Sequence, residues 1–416
     1  MRRARSHRRA ARGYTLVELL VAMLITSVTV VALYQVSRSA TETFNQQQRA
    51  AEMQLRLRFA METLRADIAR AGFMMSPNTA TDPRVCPRPM VPLQALEIGH
   101  DTTNPTPLAS DNAFVNPVRL RMIGNYTPLD EYRVAGISGS TISLQNQTPQ
   151  WATIENAAEM ERVFLGPTGG RRLLRITSNT GSVQFVQVTA VAWQSASGTV
   201  LPTLTVSPAP TIIGEGMGLG VQCGVSGLDV GATVAPLIMV EYSIASLYND
   251  ANQRARHRET YPADDTVAAL KTDLVRREYN IQPARVENLG ATRVVGEYAV
   301  DLDVGVSLDD GIPQGSLTGP PAIRTLAVGD TTIDTVAGSV EALGVTSALP
   351  QRVRSLIVRL SIRDRDQDPS FGWVQRGSAA DPLTRFRVFN DRPGAARVRT
   401  VTTEVALPNL ALRNLR

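Results

Sequence analysis

One long apolar run near the N-terminus constrains this chain more than any other feature. Residues 14–36 (YTLVELLVAMLITSVTVVALYQV) carry a single charged side chain, Glu18, and are about as long as a helix that crosses a bilayer. An ordinary secretory signal has a shorter apolar region, followed by a small-x-small cleavage site. Here the small residue, Gly13, precedes the apolar run. The sequence therefore predicts a membrane-spanning helix rather than an ordinary secretory signal.

Positive charge is concentrated in front of this helix. Residues 1–13 contain six arginines and no acid, and subtracting six from the formal net charge of +5 leaves −1 for the rest of the chain. Arginines before a span hold the N-terminus in the cytoplasm, which sends the residues after 36 across the membrane. We therefore predict a single-pass protein with a cytoplasmic N-terminus and a periplasmic C-terminal domain. Because the basic residues belong to the leader, we predict no nucleic-acid partner.

The helix is predicted to continue beyond the membrane. Residues 37–71 contain no proline and no glycine, and Gly72 supplies a natural C-terminal cap. Apolar residues recur at three- and four-residue steps with charged residues between them, so that one stripe of the helix should pack on a soluble domain. We expect one continuous helix over residues 14–71. The stripe consists of Met53, Leu57, Ala60, Met61, Leu64 and Ile68.

Beyond Gly72 the sequence becomes typical of β-structure. Short runs rich in β-branched residues alternate with stretches rich in proline, glycine and asparagine. The proline-bearing stretches 76–107 and 313–321 predict loops or linkers. The predicted strands are residues 118–123, 141–145, 172–177, 183–193, 203–207, 237–244, 298–308, 355–363, 385–389 and 397–407.

The start of the apolar helix resembles a known motif. Residues 13–18 (GYTLVE) are similar to the Gly-Phe-Thr-Leu-Ile-Glu motif of type IV prepilins and pseudopilins, with tyrosine in place of phenylalanine. The resemblance implies that a prepilin peptidase cuts between Gly13 and Tyr14 and methylates the new amine of Tyr14. It also implies that Glu18 meets the N-terminal amine of a neighbouring subunit during assembly. A plain signal anchor would leave the glycine and the spacing unexplained.

Segments of the sheet region are similar to the larger minor pilins of the PilW type and the related J-type pseudopilins. These segments are residues 238–248, 294–309, 353–363 and 397–414. The resemblance implies a pilin-like lollipop of the α+β class, in which a long helix packs on an antiparallel β-sheet-rich domain with a large β-rich insertion. The expected parts are a cleaved leader (1–13), a transmembrane segment (14–36), the exported half of the helix (37–72), the insertion (73–236) and a pilin-like sheet domain (237–416).

The resemblance implies a minor pilin that helps to prime a type IV pilus. Its partners would be other minor pilins, the major pilin, prepilin peptidase, the inner-membrane assembly platform and membrane lipid. The protein would pass from the bacterial inner membrane into the pilus at the cell surface. Two alternatives stay open: a pilus-tip adhesin that binds through residues 76–236, which resemble no family, and a pseudopilin of a type II secretion system.

Signatures of enzyme chemistry are absent from the sequence. After the leader only His100 and His257 remain, and there is no HExxH motif. The only lysine, Lys271, follows a leucine rather than the glycine of a phosphate-binding GxxxxGK loop. The glycine-rich stretch 214–220 does not fit GxGxxG and is interpreted as a flexible turn. We expect no enzyme activity and no cofactor.

Cys86 and Cys223 are the only cysteines and form a weaker candidate pair. Both follow the apolar helix, so they would lie in an exported region where a disulfide is chemically allowed. Their separation gives no further signal. A Cys86–Cys223 disulfide and two buried free thiols are equally open.

The sequence around residue 366 contains the nearest approach to a metal motif. Asp364, Asp366 and Asp368 alternate like the opening of a calcium-binding loop. Such a loop needs glycine at its sixth position and a bidentate acid at its twelfth, whereas this chain has Pro369 and Gln375. We favour a solvated hairpin loop and predict no metal, with calcium as a weak alternative.

Overall fold

The computed structural model describes residues 15–89, 91–100, 112, 114–115, 117–127, 131–146, 154–167, 170–179, 181–193, 201–213, 225–226, 231–248, 250–261, 270–281, 286–309, 323–330, 333 and 350–411. The chain divides into two compact units, residues 1–54 and residues 55–416.

Secondary structure in the described ranges consists of a long N-terminal helix followed mainly by strands. The helices are α1 (Leu16–Arg70), α2 (Ala157–Phe164), α3 (Ala251–Arg256) and α4 (Pro408–Ala411). The strands are β1 (Leu96–His100), β2 (Val118–Gly124), β3 (Tyr132–Ser138), β4 (Thr141–Leu144), β5 (Leu173–Thr177), β6 (Val183–Ala192), β7 (Thr203–Ser207), β8 (Ile212–Ile213), β9 (Val225–Ser226), β10 (Thr233–Ala245), β11 (Asp273–Asn280), β12 (Val286–Glu287), β13 (Arg293–Gly296), β14 (Ala299–Asp309), β15 (Ile323–Leu326), β16 (Val353–Arg363), β17 (Arg385–Phe386) and β18 (Ala396–Ala406).

The long helix and its apolar stripe confirm the prediction from the sequence. Helix α1 is continuous over 55 residues, and all six residues of the predicted stripe are buried. Within the second unit, Leu57, Leu64 and Ile68 belong to the main hydrophobic core. The helix ends at Arg70, and Gly72 then adopts a φ of +75°, the left-handed conformation that glycine reaches without strain.

Strand β10 is shared by two β-structures. Its C-terminal part pairs antiparallel with β2 on one side and with β11 on the other. Strands β1 and β13 extend this sheet at its two ends, and its apolar side chains join the core that contains α1. The predicted boundary between residues 236 and 237 lies inside β10, so the segments on both sides of it share one strand.

The N-terminal part of β10 closes a ring of six antiparallel strands. The order is β10, β3, β4, β7, β6, β5 and back to β10. Thr233 pairs with Arg133 of β3 and also with Thr177 of β5, which completes the closure. A closed ring leaves no free sheet edge among its members. A second hydrophobic core fills this barrel, and α2 contributes Met160 and Phe164 to it.

A further sheet has the order β15-β14-β16-β18-β17 and is antiparallel throughout. Apolar residues of β14 and β16 enter the same core as α1. The strand pairs of the described part are antiparallel except for the short pair β8–β9. A long apolar helix followed by antiparallel sheets confirms the α+β class and is consistent with the expected pilin-like fold.

Candidate functional site

Helix α1 begins with reciprocal hydrogen bonds between Thr15 and Glu18. The backbone N–H and the hydroxyl of Thr15 donate to Oε2 of Glu18 at 2.9 Å and 3.1 Å. The backbone N–H of Glu18 donates in return to Oγ1 of Thr15 at 3.3 Å. This arrangement is a capping box, in which two residues three positions apart satisfy each other's backbone donors. Glu18 therefore has a role within its own helix.

The sequence resemblance implies a different role for Glu18, and this cap was not predicted. The spacing Thr-x-x-Glu before an apolar run is a recognisable signal for a capping box, so the cap was accessible from the sequence. Gly13 and Tyr14, the predicted cleavage and methylation residues, lie outside the described residues. Cleavage, methylation and the contact of Glu18 with a neighbouring subunit stay predictions.

The part of α1 that follows Glu18 presents an apolar surface on all sides. Leu24 and Val28 expose 66% and 62% of their area. The helix contains an 18-residue window of mean hydropathy 2.5, none of which is buried. Within the described ranges it is the one helix long and apolar enough to cross a membrane. Such a surface is unfavourable in water, so this N-terminal helix fits membrane anchoring.

Asp67 attaches the C-terminal part of α1 to the sheet behind it. Its Oδ2 atom accepts hydrogen bonds from the hydroxyl of Tyr242 at 2.7 Å and from Nε of Arg276 at 2.8 Å. Burial alone would lower the pKa of Arg276, but Asp67, Tyr242 and Glu278 together outweigh that effect and raise the pKa. The contacts of Asp67 with Tyr242 and Arg276 fix which face of the helix lies against β10 and β11.

The structure bears on one of the two cysteines. Cys86 takes part in a disulfide. The other cysteine of the chain, Cys223, lies outside the described residues, as does the glycine-rich stretch 214–220. The Cys86–Cys223 pairing therefore stays a prediction.

The aspartates of the weak calcium candidate serve the local loop. Asp368 accepts hydrogen bonds from the N–H and the hydroxyl of Ser370 at 2.9 Å and 2.6 Å, and the hydroxyl is the main cause of its lowered pKa. Asp364 accepts from the N–H of Arg365 at 2.7 Å. Within the described ranges, no group of three or more His, Cys, Asp or Glu residues is arranged to hold a metal ion. Asp364, Asp366 and Asp368 do not form such a group.

Comparison with known proteins places the N-terminal segment in a class. The Prokaryotic N-terminal methylation motif matches residues 8–34. No curated protein and no solved structure matches the chain. The motif covers the last six residues of the predicted leader, the capping box and most of the apolar run, and it indicates a type IV pilin-like or pseudopilin protein.

This class carries general implications for the chain. Proteins with the motif are structural rather than enzymatic in general, and they interact with other pilins and with prepilin peptidase. The motif spans the junction between the predicted leader and the apolar helix. It does not extend to the β-rich region, where the specific role of the protein has to be sought.

Proposed function

We propose that this protein is a minor pilin of the PilW type, which helps to initiate a type IV pilus within a membrane-anchored priming complex. The observation that carries the proposal is the methylation motif over residues 8–34, which overlaps the start of a continuous 55-residue helix. The antiparallel sheet domain supports it, because apolar residues from β10, β14 and β16 bury the C-terminal stripe of that helix.

In this proposal the leader is removed after Gly13, and the methylated amine of Tyr14 becomes the new N-terminus. The two hydrogen bonds from Thr15 both use Oε2 of Glu18, so Oε1 can accept a bond from the amine of a second subunit. The subunit would sit in the inner membrane by residues 14–36 with its later residues in the periplasm, and would then pass into the pilus.

The first test is the N-terminal mass of the protein purified from membranes, with and without an active prepilin peptidase. A mature chain that begins at methylated Tyr14 only in the presence of the enzyme supports the proposal. An intact leader in both backgrounds would mean that the N-terminal segment is an ordinary membrane anchor, and it would contradict the proposal.

A second test addresses assembly. Glu18→Ala should greatly reduce the number of pili and the recovery of the protein in sheared pilus fractions. The N-terminal mass of the variant shows whether it was processed normally. Unchanged pilus number in a processed Glu18→Ala strain would contradict the assembly role.

One observation favours an adhesin as the second candidate. The barrel formed by β3–β7 and the start of β10 has a core of its own, and only Leu173, Val183 and Phe185 of β5 and β6 contribute to the core around α1. A separate core allows the barrel to carry a binding function that the rest of the domain does not need. In that case α1 would serve only to attach the barrel to the pilus.

The two candidates can be separated by removing the barrel. Gly124 at the end of β2 pairs with Ile238 of β10, so a short Gly-Ser linker in place of residues 128–232 should leave β2 and β10 joined as a hairpin. Pili that form but no longer attach to a surface favour the adhesin. Loss of pili, with the shortened protein present in the membrane, favours the priming role.

A further inference from the structure

The single lysine of this chain occupies an unusual position. Of 43 lysine and arginine residues, only Lys271 is a lysine, and it is 4% exposed. Arginine makes ion pairs at least as well as lysine, but its guanidinium stays protonated in proteins. A buried amine, in contrast, can lose its proton and act as a nucleophile. The residue type therefore points to chemistry that arginine could not perform.

Two carboxyl groups flank the amine of Lys271. Its Nζ atom lies 3.5 Å from Oδ2 of Asp273 and 3.5 Å from Oε1 of Glu297. Lys271 lies two residues before Asp273, the first residue of β11, so the two side chains lie on the same face of the extended chain. The aromatic rings of Tyr261 and Tyr298 approach Nζ to 4.9 Å and 4.8 Å. The amine is thus surrounded by two carboxyl groups and two aromatic rings.

The two acids differ in their surroundings. Asp273 is 0% exposed; its Oδ1 atom accepts a hydrogen bond from the N–H of Tyr298 at 2.8 Å, and its Oδ2 atom accepts one from the hydroxyl of Tyr261. Burial raises the pKa of Asp273, which favours the protonated acid. The side chain of Glu297 is 36% exposed and lies 3.8 Å from the guanidinium of Arg56.

We propose that Lys271 and Asp273 condense to form an intramolecular isopeptide bond, with Glu297 as the proton carrier. The neutral Nζ attacks Cγ of the protonated Asp273, and the Nζ–Cγ bond forms. Glu297 takes a proton from Nζ and returns it to Oδ2, the Cγ–Oδ2 bond breaks, and one water molecule leaves. Oδ1 becomes the amide oxygen and keeps its hydrogen bond from Tyr298. An ammonium and a carboxylate thereby become an amide and water, so no oxidant or other co-reactant is needed.

The environment favours this product over an ordinary ion pair. A buried ion pair carries the cost of removing two charges from water, and condensation eliminates both charges. The amide that replaces them needs one donor for its oxygen, and the N–H of Tyr298 already supplies it. An ion pair would also account for the distances, but it gives no reason for lysine in a chain that otherwise uses arginine.

The uniqueness of Lys271 provides a direct test. A protease that cuts only after lysine can cut the denatured full-length chain at one position, and it cannot cut when that lysine is acylated by Asp273. The experiment treats the protein purified from membranes with lysyl endopeptidase after denaturation and measures the intact mass in parallel. We expect an uncut chain whose mass is one water molecule below the value for the processed sequence.

Two variants make the result specific. Asp273→Ala removes the acylated group and Glu297→Gln removes the proton carrier, so both should be cut into two fragments and show no loss of water. Complete cleavage of the wild-type chain, or a wild-type mass with no water lost, overturns the proposal. A bond that persists in Glu297→Gln overturns the role of Glu297. Because cleavage and mass are read on denatured chains, a variant that folds poorly still shows its bond state, and leader processing alters only the N-terminal fragment.

Discussion

The capping box offers a way to separate the two roles of Glu18. Glutamine at this position can still accept the hydrogen bonds from Thr15, because capping boxes use Glu and Gln alike, but it carries no charge. Thr15→Ala does the reverse: it removes the cap and leaves the carboxylate. Loss of an N-cap hydroxyl costs roughly 1 kcal/mol, about a fivefold change in an equilibrium constant. Glu18→Gln should therefore reduce assembly as much as Glu18→Ala, whereas Thr15→Ala should reduce it by about fivefold or less.

The assay is the amount of each variant in sheared pilus fractions, divided by its amount in the membrane. Thr15→Ser, which keeps the hydroxyl, is the matched control and should assemble like the wild type. The N-terminal mass of every variant has to show normal processing before the amounts are compared. If Glu18→Gln assembles like the wild type while Thr15→Ala fails like Glu18→Ala, Glu18 acts as a cap and the reasoning from charge is refuted.

Three further predictions concern stability, each read from urea unfolding of the purified chain by tryptophan fluorescence. Leu64→Ala should lower the free energy of unfolding by roughly 3–5 kcal/mol, because Leu64 is 0% exposed. Leu55→Ala, at 67% exposure on the same helix, should change it by no more than about 0.5 kcal/mol. Equal effects of the two substitutions would contradict the packing. Burial raises the pKa of Asp301 to about 6, above its ordinary value of 3.8, so the folded state binds the proton more tightly. Stability relative to Asp301→Asn should then fall by roughly 2–3 kcal/mol as the pH rises from about 4 to about 6, and a pH-independent difference would exclude this effect. Gly72→Ala should cost roughly 1–2 kcal/mol for a non-glycine residue at positive φ. Most of this loss of stability should persist when Gly72→Ala is made in a Leu410→Ala background, which removes the side chain 2.6 Å from the added Cβ. If the loss disappears in that background, the steric clash with Leu410 and not the positive φ is its cause.

The long helix could be predicted because its signals are local. Apolar residues at helical spacing, the lack of proline and glycine, and Gly72 at the end all lie within one continuous segment, and the structure has α1 at Leu16–Arg70. All ten predicted strands correspond to observed ones, with the largest difference at β10, which begins four residues before and ends one residue after the predicted 237–244. The prediction omitted several strands, among them β1, which lies inside the stretch 76–107 that was predicted to be a loop or linker. It also omitted β11 (DLVRREYN), because three consecutive charged residues in its middle mask the alternation.

Features that depend on long-range pairing could not be predicted. Closure of the barrel rests on Thr233, which pairs with residues 100 and 56 positions earlier in the chain, and no local pattern encodes such partners. The same limit applies to Glu297, which reaches Lys271 only after the chain has folded. Lys271 was conspicuous in the sequence as the only lysine and Asp273 lies two residues further on, but the contact with Glu297 became apparent only from the structure.

Strand β10 also determines how the domain would bear a mechanical load. A force that pulls the barrel away from the core around α1 would run along β10, because the strand belongs to both structures. Its hydrogen bonds to β2, β5 and β11 lie across the strand, so the force would load them in shear and all at once rather than peel them apart singly. The barrel is therefore attached along the direction in which the hydrogen bonds of a sheet resist a force together.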